Sequence, residues 1–132
     1  MNKNLILPAL LFIIFATPVL AETQLNVPAL PNAKIFVDEK SMEKSGNTVT
    51  LNVRIDQSAD PGCLPSKTIC LVKAKTTQGK FKFFCDGTVL PIKGTISTTD
   101  NDTITVDESR GRNTMKVGTP MYYVGLQMCN AK

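Results

Sequence analysis

The chain contains no histidine and no tryptophan. Without an imidazole there is no Ser-His-Asp or Cys-His nucleophile, no histidine general base and no histidine-ligated zinc or haem. A sensor of mild acidity is excluded as well, because histidine is the side chain that titrates unperturbed between about pH 5 and 8. The cysteines form no C-x-x-C, which argues against a redox-active pair and a zinc site. No Gly-rich phosphate loop, serine-nucleophile motif or cofactor fingerprint is present, so no cofactor or metal is expected and the chain reads as a non-enzyme. The formal net charge is only +4. That favours acidic surfaces or polyanions but is too small to indicate nucleic acid.

The one long apolar stretch lies at the start. Lys3 is followed by residues 5–16, apolar except for Pro8, then Pro18 and Val19-Leu20-Ala21. This is the pattern of a secretory signal cleaved before Glu22. The run is short for the ~20 residues that span a bilayer. No cysteine near position 22 could accept a lipid, so no stable membrane anchor is expected and the mature chain reads as soluble. Residues 22–32, with Pro28 and Pro31 and no periodicity, read as a mobile leader. Residues 33–132 read as one domain of ordinary size. Export to the periplasm or medium explains the cysteines, since Cys63, Cys70, Cys85 and Cys129 form an even set in a small exported chain and suggest disulfides.

The domain is patterned for strands. Residues 34–38 form a short strand candidate. Ser45-Gly46-Asn47 is a turn signal, and residues 48–55 alternate, with Val49, Leu51, Val53 and Ile55 on one face. Residues 60–66 form a loop dense in turn residues. Strands are expected at 69–76, 80–85, 88–90, 93–97 and 103–106, with Asp86-Gly87 as a two-residue hairpin signal and Pro91 marking an edge or bulge. Near the C-terminus the period changes. Thr119 reads as an N-cap and Pro120 as the first helical residue, after which Met121, Val124, Gly125 and Met128 share one helical face. The expected fold is α+β: a mostly antiparallel sheet of about six strands with a C-terminal helix packed on it, stapled by disulfides.

The segments 69–76 and 80–85 read as a hairpin. Cys70, Val72 and Ala74 share an apolar face in the first, and Phe81, Phe83 and Cys85 in the second. Opposed residues of an antiparallel pair share a face, so a one-residue slip would bury lysines. Two registers satisfy this. A two-residue turn at Gln78-Gly79 sets Val72 opposite Cys85; a four-residue loop at 76–79 sets Cys70 opposite Cys85 and invites a bond between them. The shorter turn is the commoner. It pairs Cys63 with Cys70 and leaves Cys85 to reach Cys129.

Ile35-Phe36-Val37-Asp38, the basic-Ser-Gly-Asn turn at 44–47, the strand from Val49, the aromatic-rich Lys80-Phe81-Lys82-Phe83-Phe84-Cys85 and the Gly118-Thr119-Pro120 segment before Cys129 resemble the surface-adhesin protein E domain of Gram-negative bacteria. The resemblance covers roughly residues 33–130. It implies a small antiparallel sheet and a terminal helix held by a disulfide that maps onto Cys85 and Cys129. The chain departs from the family in lacking an anchor cysteine and a tryptophan before the terminal segment, where Met115 or Val117 stands instead.

Lys73, Lys75, Lys80 and Lys82 are expected on one face of the hairpin together with Phe84 and Leu71, with Lys67 nearby. Apolar groups among lysines suit an acidic segment of a partner protein or a sulfated glycan, and Phe84 and Leu71 could equally mark a homodimer face. The competing reading is a solvated face whose lysines suppress aggregation. Asp100, Asp102, Asp107 and Glu108 lack the glycine and terminal glutamate of a calcium loop at the required spacing and read as a solvated loop, neutralised by Arg110 and Arg112.

Overall fold

The computed structural model describes residues 22–64 and 70–130. The signal-peptide expectation and Lys67 lie outside them. One antiparallel sheet holds the described strands: β1 (Glu22–Leu25), β2 (Lys34–Ser45), β3 (Thr48–Asp56), β4 (Gly62–Cys63), β5 (Lys73–Phe84), β6 (Thr88–Thr98), β7 (Thr103–Asp107) and β8 (Asn113–Thr114). The order across the sheet is β1-β2-β3-β5-β6-β7, with β4 paired to β5 and β8 to β6. A 3₁₀ turn spans Glu108–Arg110, and helix α1 spans Pro120–Asn130. The expected α+β class, a mostly antiparallel sheet with a C-terminal helix and two disulfides, is what the chain adopts.

The helix covers one face. The period-2 set Val49, Leu51, Val53 and Ile55 is buried there with Ile35, Val37, Phe81, Phe83 and Ile96, under Val124 and Met128 of α1. Gly125 is what lets α1 come close. A Cβ at this position would stand 2.7 Å from the Met115 Cε and 3.4 Å from the Phe83 Cδ1. Met115 is buried whereas Val117 is 79% exposed, so of the two residues before the terminal segment it is Met115 that fills the space under the helix. Pro120 opens α1 as its sequence predicts, and the Thr119 carbonyl accepts from the Tyr123 N–H. The Thr119 hydroxyl does not cap the helix; it donates to the Lys116 carbonyl at 2.7 Å.

The disulfides are Cys63–Cys70 and Cys85–Cys129, with Cα separations of 5.3 and 5.7 Å. These are the expected pairs, reached without the expected hairpin. Residues 73–84 form one continuous strand, and Gln78-Gly79 is its middle rather than a turn. The segment 70–72 is not strand. The apolar face runs through Ala74 at an even position and Phe81 and Phe83 at odd ones. A straight strand cannot put both parities on one side. The shift falls between Ala74 and Thr76, where Lys75 is the extra residue opposite Thr98 and Ser97. A β-bulge resolves the parity in place of a turn.

The two candidates at 88–90 and 93–97 likewise merge into β6. Pro91 does mark a bulge: Phe81 pairs with Pro91 and Lys80 with Lys93, leaving Ile92 over. The Asp86-Gly87 hairpin forms, but its loop has three residues, since Phe84 pairs with Thr88. The Gly87 N–H donates to the Phe84 carbonyl at 3.1 Å, and the Asp86 carboxylate accepts from the Thr88 N–H at 3.0 Å. Residues 22–32, read as a leader outside the sheet, instead supply β1, paired to residues 35–38 of β2, and bury Val27 in the core. Apolar residues at 25, 27 and 30 pack against that core, a burial that the two prolines mask in the sequence.

Candidate functional site

No described element covers the face of the sheet opposite α1, and the lysines singled out from the sequence lie along it. They do not form one cluster. Lys73 and Lys82 are nine residues apart on one extended strand, ~30 Å at ~3.3 Å per residue. Lys73 and Lys75 stand at the β4 end, where the Lys75 Nζ donates to Asn101 Oδ1 at 3.4 Å and Lys73 pairs across from Cys63. Lys80, Lys82 and Phe84 occupy the other half of β5. Leu71 is 83% exposed but lies before the strand and is not part of this face.

Tertiary pairing adds residues to the lysine half. Lys93 on β6 lies directly opposite Lys80, and Asn52 on β3 flanks Lys80 on its other side. Leu90 faces Lys82. Two arginines cover the two phenylalanines of this face. The Arg112 guanidinium lies 3.7 Å from the Phe84 ring centroid and that of Arg54 lies 4.1 Å from the Phe36 centroid, a cation–π arrangement. The Lys82 ammonium approaches Phe84 at 5.5 Å. Between Arg54 and Lys93 runs a shallow trough of about 440 Å³, floored by Gly79 and Gly94 and walled by Asn52, Gln78, Thr95 and Thr105.

Arg54 lies on the polar side of its strand, between the buried Val53 and Ile55, as the alternation at 48–55 requires. Lys93 was hidden for a definite reason: its position is odd whereas that of Leu90 is even, and only the bulge at Ile92 puts both on the outer face. Arg112 was assigned to the acidic loop. It instead bridges to Asp86, Nη2 to Oδ2 at 2.6 Å, and donates to the Thr88 hydroxyl. The acidic residues serve turns. Asp100 accepts from the Thr98 hydroxyl, and Asp107 accepts from the Ser109 N–H at 2.9 Å. The Ser109 hydroxyl and N–H hold the Asp107 carboxyl below its ordinary range, with Arg110 assisting. Among the described residues no group of three or more His, Cys, Asp or Glu could hold a metal ion.

Glu22 and Arg54 pair through Oε2 to Nε at 3.1 Å and Oε1 to Nη2 at 3.0 Å. The hydrogen bonds from Arg54, and then its charge, hold the Glu22 carboxyl below the ordinary glutamate value. The stabilisation this gives β1 is fully present above the unfolded-state value and is lost as pH falls through the lowered folded one. Acidification from about pH 5 to about pH 3 is therefore expected to speed amide exchange in β1 ahead of β3. Glu22→Gln should remove that local pH dependence. Unchanged β1 protection at low pH in the wild type would show that the pair does not hold the strand.

No family model, no curated protein and no solved structure matches the chain.

Proposed function

We propose that this chain is an exported, non-enzymatic binding module of the protein E type, acting in the periplasm or medium by engaging an acidic partner protein through the uncovered face of its sheet. The observation that supports this best is the asymmetry of that face. Lys80, Lys82 and Lys93 stand there without a carboxylate partner among the described residues, while Arg54 and Arg112 are already paired. An uncovered sheet face with cations at its centre and half-buried Phe84 and Leu90 beside them offers both charge and apolar contact. The two disulfides suit an oxidising compartment. No helix of the described residues is long and apolar enough to cross a membrane.

The test combines fractionation of the native cell with capture of envelope proteins on the immobilised mature chain. An acidic protein should be retained by the wild type and released by moderate salt. It should be lost when Lys73, Lys75, Lys80 and Lys82 are changed together to serine with the unfolding midpoint unchanged. Equal retention by that variant would move binding off this face. Recovery of the chain only from cytosol would overturn export.

A further inference from the structure

Lys80 and Lys93 are direct cross-strand neighbours, an arrangement of like charges that destabilises a sheet. The carboxylates along their row do not relieve it, and Glu22, which ends the row beyond Asp38 and lines the trough, is held by Arg54. Asp107, opposite Lys93 on β7, is turned to the Ser109 N–H and hydroxyl. Asp38, beyond Asn52 on β2, accepts from the Lys40 N–H at 3.1 Å. Among the described residues the two ammonium groups thus stand side by side with no carboxylate partner, next to a trough floored by the backbones of Gly79 and Gly94. Lys82 extends the charge along β5 by a further two residues.

We propose that Lys80, Lys82 and Lys93 form a track for an extended acidic peptide segment whose carboxylates occur at alternate positions. The inference rests on the binding-module reading and names the chemistry of its partner. Three features select this occupant. The first is spacing: Lys80 and Lys82 are two residues apart on a strand, ~6.6 Å, which is also the repeat of same-side side chains on an extended peptide laid along β5. The second is the kind of cation. Arg54 and Arg112, whose planar forks fix bidentate geometry, are already engaged, and the lysines of this face act as point charges that pair with carboxylates on flexible side chains. The third is the trough wall. The side chains of Asn52, Gln78 and Thr95 make no hydrogen bond within the described chain and can serve a peptide backbone crossing the glycine floor. Phe84, under Arg112, ends the track with an aromatic surface.

The experiment uses the full mature chain. A peptide alternating Asp and Ser, a block peptide of identical composition and a heparin oligosaccharide are each titrated at low and at ~0.15 M ionic strength, followed by amide chemical shifts. The alternating peptide should bind about tenfold tighter than the block peptide, perturb Asn52, residues 78–82 and residues 93–95, and weaken with salt. The double variant Lys80→Ser/Lys93→Ser should lose about tenfold in affinity, and its unfolding midpoint should hold or rise because a like-charge pair is gone. Equal affinity for the two peptides, binding of heparin alone, or displacement of the peptide by self-association through the Asp100–Asp102 turn of a second copy would overturn the track. If Lys73→Ser/Lys75→Ser abolishes capture of the acidic envelope protein while Lys80→Ser/Lys93→Ser does not, the track fails and the binding-module reading stands.

Discussion

Gly79→Ala is expected to destabilise the protein by about 3–5 kcal/mol, combining local backbone strain with overpacking. Gly79 has a φ of +150°, which L side chains rarely adopt. Its β-carbon would stand 2.4 Å from both the Gly94 Cα and the Lys93 carbonyl oxygen. These are backbone atoms in the middle of a sheet and cannot step aside as a methionine tip can. Since domains of this size are stable by roughly 5–15 kcal/mol, the variant should lose much of its urea resistance. Gly87→Ala is the matched control: φ is +95° but nothing lies within 4 Å of the added carbon, so only the backbone term applies, about 1–2 kcal/mol. Equal midpoints for the two variants would show that the contact between the two glycines does not constrain β5 and β6.

Removing the Cys85–Cys129 bond should cost about 4 kcal/mol, against about 2.4 kcal/mol for Cys63–Cys70, in the chain-entropy model. The difference follows from the loops closed, 44 residues of sequence separation against 7. The long bond also joins the β5–β6 hairpin loop to α1, which seals the core through Val124 and Met128. The double serine variant at positions 85 and 129 should therefore release the helix and expose Met115, Phe83 and Leu51 to solvent, seen as a lowered midpoint together with faster exchange in the centre of β3 and β5. The variant at 63 and 70 should lower the midpoint less and leave the β3 centre protected. The reverse order of midpoints would place the critical restraint at the β4 end of the sheet.

Both predictions depend on the continuity of β5, where sequence and structure part most clearly. The odd–even change between Ala74 and Phe81 is visible in the residues and demands some interruption. A turn at Gln78-Gly79 and a bulge at Lys75 satisfy the same alternation, and Gln-Gly is an ordinary turn pair. What favours the continuous strand is nonlocal. Residues 76–84 pair along their length with residues 48–56 of β3, so a turn at Gly79 would forfeit half of those backbone hydrogen bonds. Both alternatives leave Cys85 next to the apolar Phe81 and Phe83 where this segment ends, in the structure as the first residue of the β5–β6 loop, so the disulfide to Cys129 came out alike.

Local chemistry was enough for several features. Alternation at 48–55, Pro120 at the start of a helix, Asp86-Gly87 as a turn, Pro91 at a bulge and the inward set Met121, Val124, Gly125 and Met128 each follow from a residue's own backbone preference or from a short period. The candidate site was half legible for the same reason. Polarity put Lys80, Lys82 and Arg54 on an outer face, but Lys93 and Arg112 are reached only through pairing.

The residues alone thus determined the mostly antiparallel class, the helix and the absence of histidine chemistry, because each depends on local preference, periodicity or composition. Tertiary structure decided which strands are continuous, that residues 22–25 close one edge of the sheet, and which cations meet across strands. Those outcomes depend on bulges at Lys75 and Ile92, each of which reverses every later side chain, and on backbone pairing between segments far apart in sequence, which no local pattern records.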